Sequence, residues 1–297
     1  DGDDGVRILA DPGGGLRVRD PDGGAVPFAV DAVLSVVHGW GGEDGRVQGL
    51  LELARVPYVG AGVAGSALAM DKGFARSVAE AVGLPLAPWT IVRESSWRSD
   101  RDGVAANVLA TPGLPLFVKP ANGGSSVGIR RVARAEDLAP ALEHAFAYDR
   151  RVVVERAIDA REIEVAVLGN DDPEASVPGE IVPGAEFYTY EDKYVDGAAR
   201  LLIPAPLDPP VRDEVRRLAV AAFGALDLAG MARVDFLLER STGALLFNEA
   251  NTLPGFTPIS MYSKLWEASG LPYPRLLERL VDLAIERDRA ARRRKPT

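Results

Sequence analysis

RVDFLLERSTGALLFNEAN, residues 233–251, is the stretch on which the fold turns. Two apolar runs flank Ser241-Thr242-Gly243, whose small polar residues and glycine favour a tight turn, so the runs form paired strands. Side chains alternate along a strand, so Arg233 and Asp235 share one face of the first, as Glu249 and Asn251 do on the second. One surface thus gathers two carboxylates, an amide and a guanidinium. Oxygen donors of this kind suit magnesium or manganese, which complete octahedral coordination with water and phosphate. A solvated polar face of an antiparallel sheet is the alternative. The apolar neighbours Val234, Phe236, Leu246 and Phe247 weigh against it.

Downstream, residues 249–258 leave the strand through Pro254 and Gly255, an irregular backbone whose N–H groups can face an oxyanion or carboxylate. Ser260 then serves either as the N-cap of a following helix or as a donor to substrate. Upstream, periodicity predicts strands at 162–168 and 200–203 and a helix at 209–226. Residues 85–158 read as strands at 89–92, 116–119, 127–132 and 151–155. They also carry a helix ending near Ala110 and a second with Leu138, Leu142, Ala145 and Phe146 on one face. Before Pro85 come strand-like runs at 6–10 and 16–19, an apolar strand at 32–37, and helices at 48–54 and 66–82, the last stopped by Gly83 and Pro85. The class is mixed α/β, with a lobe boundary at 85–88 and no internal repeat.

A chain of 297 residues, 47% of them hydrophobic, exceeds the usual size of one core and points to two or three lobes. A net charge of -9 offers no broad electropositive surface to a phosphate backbone, so no nucleic-acid partner is expected. Without cysteine there are neither disulfides nor thiolate zinc sites, which fits a reducing compartment. Charges and glycines interrupt the apolar runs before bilayer-spanning length. A cytoplasmic protein without a membrane partner is the expectation.

Two further segments carry candidate chemistry. Lys119-Pro120-Ala121-Asn122-Gly123-Gly124-Ser125-Ser126-Val127-Gly128 lies between two strands, where glycines admit backbone N–H groups to an anion and serines add donors. A plain hairpin turn explains the loop equally well by itself; Lys119, closing an apolar strand, favours phosphate. Because the lysine precedes the glycines, the pattern is not a P-loop. Residues 38–45, with His38 and Glu43, follow an apolar run, where α/β sheets place ligands. With two histidines and no evident nucleophile beside either, a hydrolytic triad is not expected.

In order, residues 38–45, 69–72, 118–128, 155–162, 190–194, 233–235 and 249–261 resemble the D-alanine–D-alanine ligases of the ATP-grasp superfamily. The resemblance implies a three-lobe ATP-grasp fold: an N-terminal Rossmann-like lobe over 1–84, a central lobe over 85–158, and a C-terminal lobe with the metal site over 159–297. It implies that two D-alanines are joined for peptidoglycan synthesis. The first carboxylate attacks the γ-phosphate of ATP, and the second amine displaces phosphate from the acyl phosphate.

By the same resemblance, Lys72, Lys119, Gly124, Ser125, Ser126, Glu155, Ile158, Glu162, Lys193, Phe236 and Asn248 contact ATP. Lys72 and Lys119 stand at the phosphates, and Glu155 and Glu162 at adenine and ribose. Asp235, Glu249 and Asn251 match ligands of two magnesium or manganese ions, and a monovalent cation is an implied activator. Arg233, Ser125, Tyr194 and Gly255 match the catalytic group, with Arg233 and the Gly255 backbone at the oxyanion. His38, Glu43, Ser260 and Met261 match the substrate pocket. Lys193 and Tyr194 match a closing loop that favours an amine over D-lactate as acceptor. A homodimer is implied. Cations offset charge on the transferring phosphoryl group, and no covalent side-chain intermediate is needed. The family pattern opens with a strand and a glycine-rich turn leading to a serine and a glutamate. No such segment precedes Val6, so native residues upstream of Asp1 are expected. Beside the ligase stand two other readings: a D-lactate or D-serine acceptor, and nucleotide binding without catalysis.

Overall fold

The computed structural model describes residues 7–19, 25–124, 126–182, 200–256 and 260–293. Its first element is an antiparallel meander of β1 (Arg7–Asp11), β2 (Gly15–Arg19) and β3 (Ala25–Phe28). The strand expected at 32–37 does not form. Only Val33 pairs, in one parallel bridge to Tyr58, and Val36 and Val37 stand exposed. A single bridge gives no ladder to propagate. α1 (Arg46–Ala54) turns Leu51 and Ala54 onto Leu16, Val56 and Tyr58.

The helix expected at 66–82 is two helices, α2 (Val63–Met70) and α3 (Lys72–Ala81). Asp71 separates them. Its backbone is extended (φ -85°, ψ 104°), and its Oδ1 accepts the N–H groups of Gly73 and Phe74, both at 3.0 Å. The side chain satisfies donors that a restarting helix leaves open, so the interruption is a new N-cap.

β4 (Trp89–Arg93), β5 (Leu116–Pro120), β6 (Arg130–Val132) and β7 (Arg151–Arg156) form an antiparallel sheet in the order β4-β7-β5-β6. β6 begins later than expected because residues 126–128 are in a turn. α4 (Glu94–Ser99), α5 (Arg101–Ala110) and α6 (Leu138–Phe146) cover one face, packing Trp97, Val108, Leu138 and Leu142 on Leu116, Val118, Val152 and Val154. By strand alternation Phe117, Lys119, Val153 and Glu155 look the other way.

The larger sheet contains β8 (Ala160–Gly169), β9 (Glu174–Ala175), β10 (Gly179–Val182), β11 (Arg200–Leu202), β12 (Gly230–Glu239) and β13 (Leu245–Asn251). Its order is β11-β10-β8-β12-β13, with β9 paired beside β8. One face packs Ile163, Val165, Val234, Phe236, Leu245 and Phe247 against α7 (Pro209–Ala225) and against Ala69, Ala75 and Ala79 of α2 and α3. The other face is divided. Ala166, Leu168 and Met231 lie under α8 (Met261–Ala268) and α9 (Tyr273–Arg292), through Met261, Tyr262, Leu265, Leu276 and Leu280. Each such fully buried side chain contributes about 1.5–3 kcal/mol. The remainder of that face is polar. α3 packs against both β7 and β13, which brings its side chains to both sheets. Among the described residues, no helix is long and apolar enough to cross a membrane.

Candidate active site

Register builds the polar row. Asp235 of β12 stands between Glu164 of β8 and Glu249 of β13, and Arg233 stands opposite Asn251. A β-bulge permits this: Asp235 pairs with Glu249 but Phe236 with Phe247, leaving Asn248 as the extra residue of β13. Strict alternation would put Phe247 and Glu249 on one face. With the bulge, Phe247 meets Phe236 in the core, ring centroids 6.2 Å apart, while Glu249 joins Asp235 on the polar side.

Arg233 donates from Nε and Nη2 to the two oxygens of Asp235, at 2.8 and 2.7 Å, and its Nε lies 3.1 Å from Oε2 of Glu164. Burial opposes the charge on Arg233, but Asp235 and Glu164 outweigh it and raise its pKa. Glu164 is a site residue that the sequence reading passed over. Its signal was the alternation Glu162-Ile163-Glu164-Val165, which sets both glutamates on one strand face.

The N-terminal motif reaches the same place from far along the chain. His38 Nδ1 lies 3.1 Å from the carbonyl oxygen of Leu253, 215 residues away, and the Leu253 N–H donates to Asn251 Oδ1 at 3.1 Å. Glu43 accepts the Gly39 N–H at 2.5 Å. Burial raises the Glu43 pKa, the Gly39 bond and His38 oppose it, and the nearby charge of Glu249 adds to the rise.

Around the glycine loop, Lys72 is the pivot. Its N–H donates to Ala121 O at 2.8 Å and its Nζ to Gly123 O at 2.5 Å. Burial lowers the Lys72 pKa, and Glu249 counters that. Asn122 Nδ2 donates to Asp71 Oδ2 at 3.1 Å and to Asp149 Oδ2 at 2.9 Å, while Arg151 Nη1 reaches Asp71 Oδ2 at 2.6 Å. The base of the loop is thereby tied to the start of α3. At Gly128, φ is +76° and an added Cβ would come within 2.7 Å of Pro120, so only glycine fits the turn.

Glu155 is 4% exposed and carries Lys119 on Oε1 and Arg76 on Oε2. Burial pushes its carboxyl up, but Arg76 and Lys119 outweigh burial and hold its pKa at about 2. Arg76 is a second residue missed from the sequence. Its signal was its place one helical turn after Lys72 on α3.

Gly124 and Ser126 lie in the loop, Ile158 in the link between β7 and β8, and Glu162 on β8 beside Glu164. A Cβ on Gly255 would sit 2.9 Å from Ser260 Oγ, so these two are neighbours at the start of α8. Ser260 occupies the N-cap position of α8 without a side-chain capping bond. The Phe236 ring lies in the core on the face opposite Asp235, and Met261 is buried with Tyr262 and Leu265. Ser125, Lys193 and Tyr194 lie outside the described residues.

Among the described residues, no group of three or more His, Cys, Asp or Glu side chains converges as a metal cage. Asp235, Glu249 and Asn251 nonetheless offer hard oxygen donors on one aligned row, short of a full coordination shell. Such a set fits an ion that takes its remaining ligands from water and nucleotide phosphate.

Two family models match the chain: D-ala D-ala ligase N-terminus over residues 14–61 and D-ala D-ala ligase C-terminus over 78–282. A D-alanine–D-alanine ligase of Thermoanaerobacter is 53% identical over 272 residues, covering 91% of this chain and 75% of the relative. D-alanine–D-alanine ligase A of Bradyrhizobium diazoefficiens is 51% identical over 288 residues, 96% of this chain and 77% of the relative. The solved D-alanine–D-alanine ligase of Coxiella burnetii superposes with a TM-score of 0.84 at 38% identity, over 97% of this chain and 76% of its own. A D-Ala:D-Ser ligase of Enterococcus faecalis gives 0.83 at 32% identity, over 94% of this chain and 79% of its own.

Proposed function

This chain belongs to the D-alanine–D-alanine ligase family and has the ATP-grasp fold, and from that premise we propose that it joins two D-alanines at the expense of ATP through an acyl phosphate. The observation that carries the reading is the aligned row of Glu164, Asp235 and Glu249 with Arg233 and Asn251, which has Glu43 and Lys72 within electrostatic reach.

His38 and Glu43 orient the first D-alanine, its carboxylate toward the γ-phosphate. Lys72 and Lys119 meet the phosphates as point charges, and the backbone at 123–124 and 126–128 offers N–H groups around them. Glu155 accepts from the exocyclic amine of adenine, and Glu162 from the ribose. Asp235, Glu249 and Asn251 would hold two magnesium or manganese ions, which would supply positive charge to the transferring phosphoryl group. The first carboxylate displaces ADP from the γ-phosphate. The amine of the second D-alanine then attacks the acyl carbon, loses its proton and expels phosphate, while Arg233 and the backbone at Gly255 stabilise the tetrahedral oxyanion. Ser260 receives the acceptor carboxylate. The protein acts in the cytoplasm as a homodimer, supplying dipeptide for peptidoglycan.

The test is phosphate release with magnesium, ATP and D-alanine, followed by mass analysis of the product. Release that depends on D-alanine and yields D-alanyl-D-alanine is the expected result. Release indifferent to D-alanine sinks the proposal, and faster product formation with D-serine or D-lactate as acceptor reassigns the second substrate.

A further inference from the structure

Arg76 has a single ion-pair partner among the described residues. Its Nη2 donates to Oε2 of Glu155, and its Nη1 is buried without a protein acceptor, so the guanidinium is committed to this one carboxylate. Both groups are almost wholly buried, Arg76 at 3% and Glu155 at 4% exposure. Lys119 holds the other oxygen, Oε1, and its side chain is the more accessible of the two cations, 14% exposed against 4% for Arg76. A lysine has three N–H donors, so one that meets phosphate shares its charge between phosphate and Glu155. When Lys119 turns to the nucleotide, Oε1 is opened toward it and Arg76 stays.

We infer that Arg76 is a positioning residue that sets the base preference of the nucleotide site: by keeping Glu155 ionised and pinned through Oε2, it makes Oε1 a hydrogen-bond acceptor only. This rests on the reading of Glu155 as the contact to the base edge. A carboxylate that only accepts matches the 6-amino group of adenine and opposes the 6-oxo group of hypoxanthine or guanine. A buried carboxyl without its cation takes up a proton and becomes a donor as well, and the opposition to a 6-oxo group then disappears. Among the described residues, the charged groups facing Glu155 are Arg76 and Lys72 from α3 and Lys119 from β5. Its cross-strand neighbours, Trp89 on β4 and Phe117 on β5, are uncharged. With the charge of Lys119 shared with phosphate, Arg76 is, among the described residues, the cation in hydrogen-bond contact whose charge is given to Glu155 alone.

The experiment measures dissociation constants of magnesium-ATP and magnesium-ITP by calorimetry on the full chain between about pH 6 and pH 8, below the ionisation of the hypoxanthine ring. The native protein is expected to prefer ATP by a ratio that does not change with pH. Arg76→Met is expected to reduce that ratio about tenfold or more at the acid end, the scale of one hydrogen bond to a charged group. The preference should return as rising pH ionises Glu155, and Arg76→Lys should restore it throughout. Glu155→Gln should show a low ratio at every pH, with no further change when Arg76→Met is added. Should Arg76→Met fail to fold, Arg76→Gln removes the charge while keeping a polar side chain. An ATP preference that survives loss of the Arg76 charge at all pH values, while Glu155→Gln abolishes it, overturns the role of Arg76 and leaves that of Glu155 standing. A preference that survives Glu155→Gln overturns both.

Discussion

Arg233 neutralises Asp235 and Glu164 in a buried row, and the proposed mechanism sets the same guanidinium against negative charge developing on substrate. Arg233→Met should therefore lower kcat by about 10²–10³-fold, the usual loss for an oxyanion donor. It should also cost about 3–5 kcal/mol of stability, because two buried carboxylates lose their cation. Glu249→Gln separates the two effects: turnover should collapse while stability in urea changes by less than about 1 kcal/mol. Steady-state kinetics and urea denaturation on both variants check this. Glu155 gives a pH signature. Its folded pKa, about 2, lies below the ordinary 4.5. Its contribution is thus complete above 4.5 and is lost as pH falls toward 2. Urea midpoints should drop over that window, and Glu155→Gln should flatten the drop.

At the scale of elements, one inserted residue and one cap organise the site. The bulge at Asn248 lets β13 send Phe247 to the core and Glu249 to the polar face. Deleting Asn248 would leave Phe247 and Glu249 adjacent in an unbroken ladder, so that plain alternation still sends Phe247 to the core and Glu249 to the polar face; a loss below about 1 kcal/mol is expected, and a larger loss would show that the bulge itself is required. Asn248→Ala keeps the extra residue and should melt near the native temperature; thermal denaturation of the two variants decides. Asp71→Ala removes the cap of α3 and the partner of Arg151 together. A loss of at least about 1 kcal/mol is expected, with a raised KM for ATP because Lys72 begins the helix that the cap sets. A variant with native stability and native KM would count against the cap as the positioner of Lys72.

Across the whole molecule, the site depends on segments distant in sequence being held together. Arg287 of α9 lies 4.3 Å over the Tyr58 ring and donates to the carbonyl oxygens of Tyr58 and Gly60, and Arg292 Nη2 reaches the carbonyl oxygen of Arg55 at 2.8 Å. The last helix thus straps the early segment that leads to Lys72. Arg287→Ala should expose the region around 55–60 to proteolysis before the two larger sheets open, a difference that limited digestion with mass mapping detects. Much of this was legible in the sequence. The alternation at 233–251, the turn at Ser241-Thr242-Gly243, the helix over 209–226 and the order of the motifs all showed there, because each depends on neighbours along the chain. Tertiary structure alone decided the strand register that aligned Glu164 with Asp235 and Glu249. It also decided the bulge that parted Phe247 from Glu249 and the break at Asp71. The pairing of Arg76 with Glu155 came from tertiary structure as well. The physical reason is common to all of them: a buried charge or an interrupted ladder is stable only against a partner supplied by another element, and local periodicity carries no information about that partner.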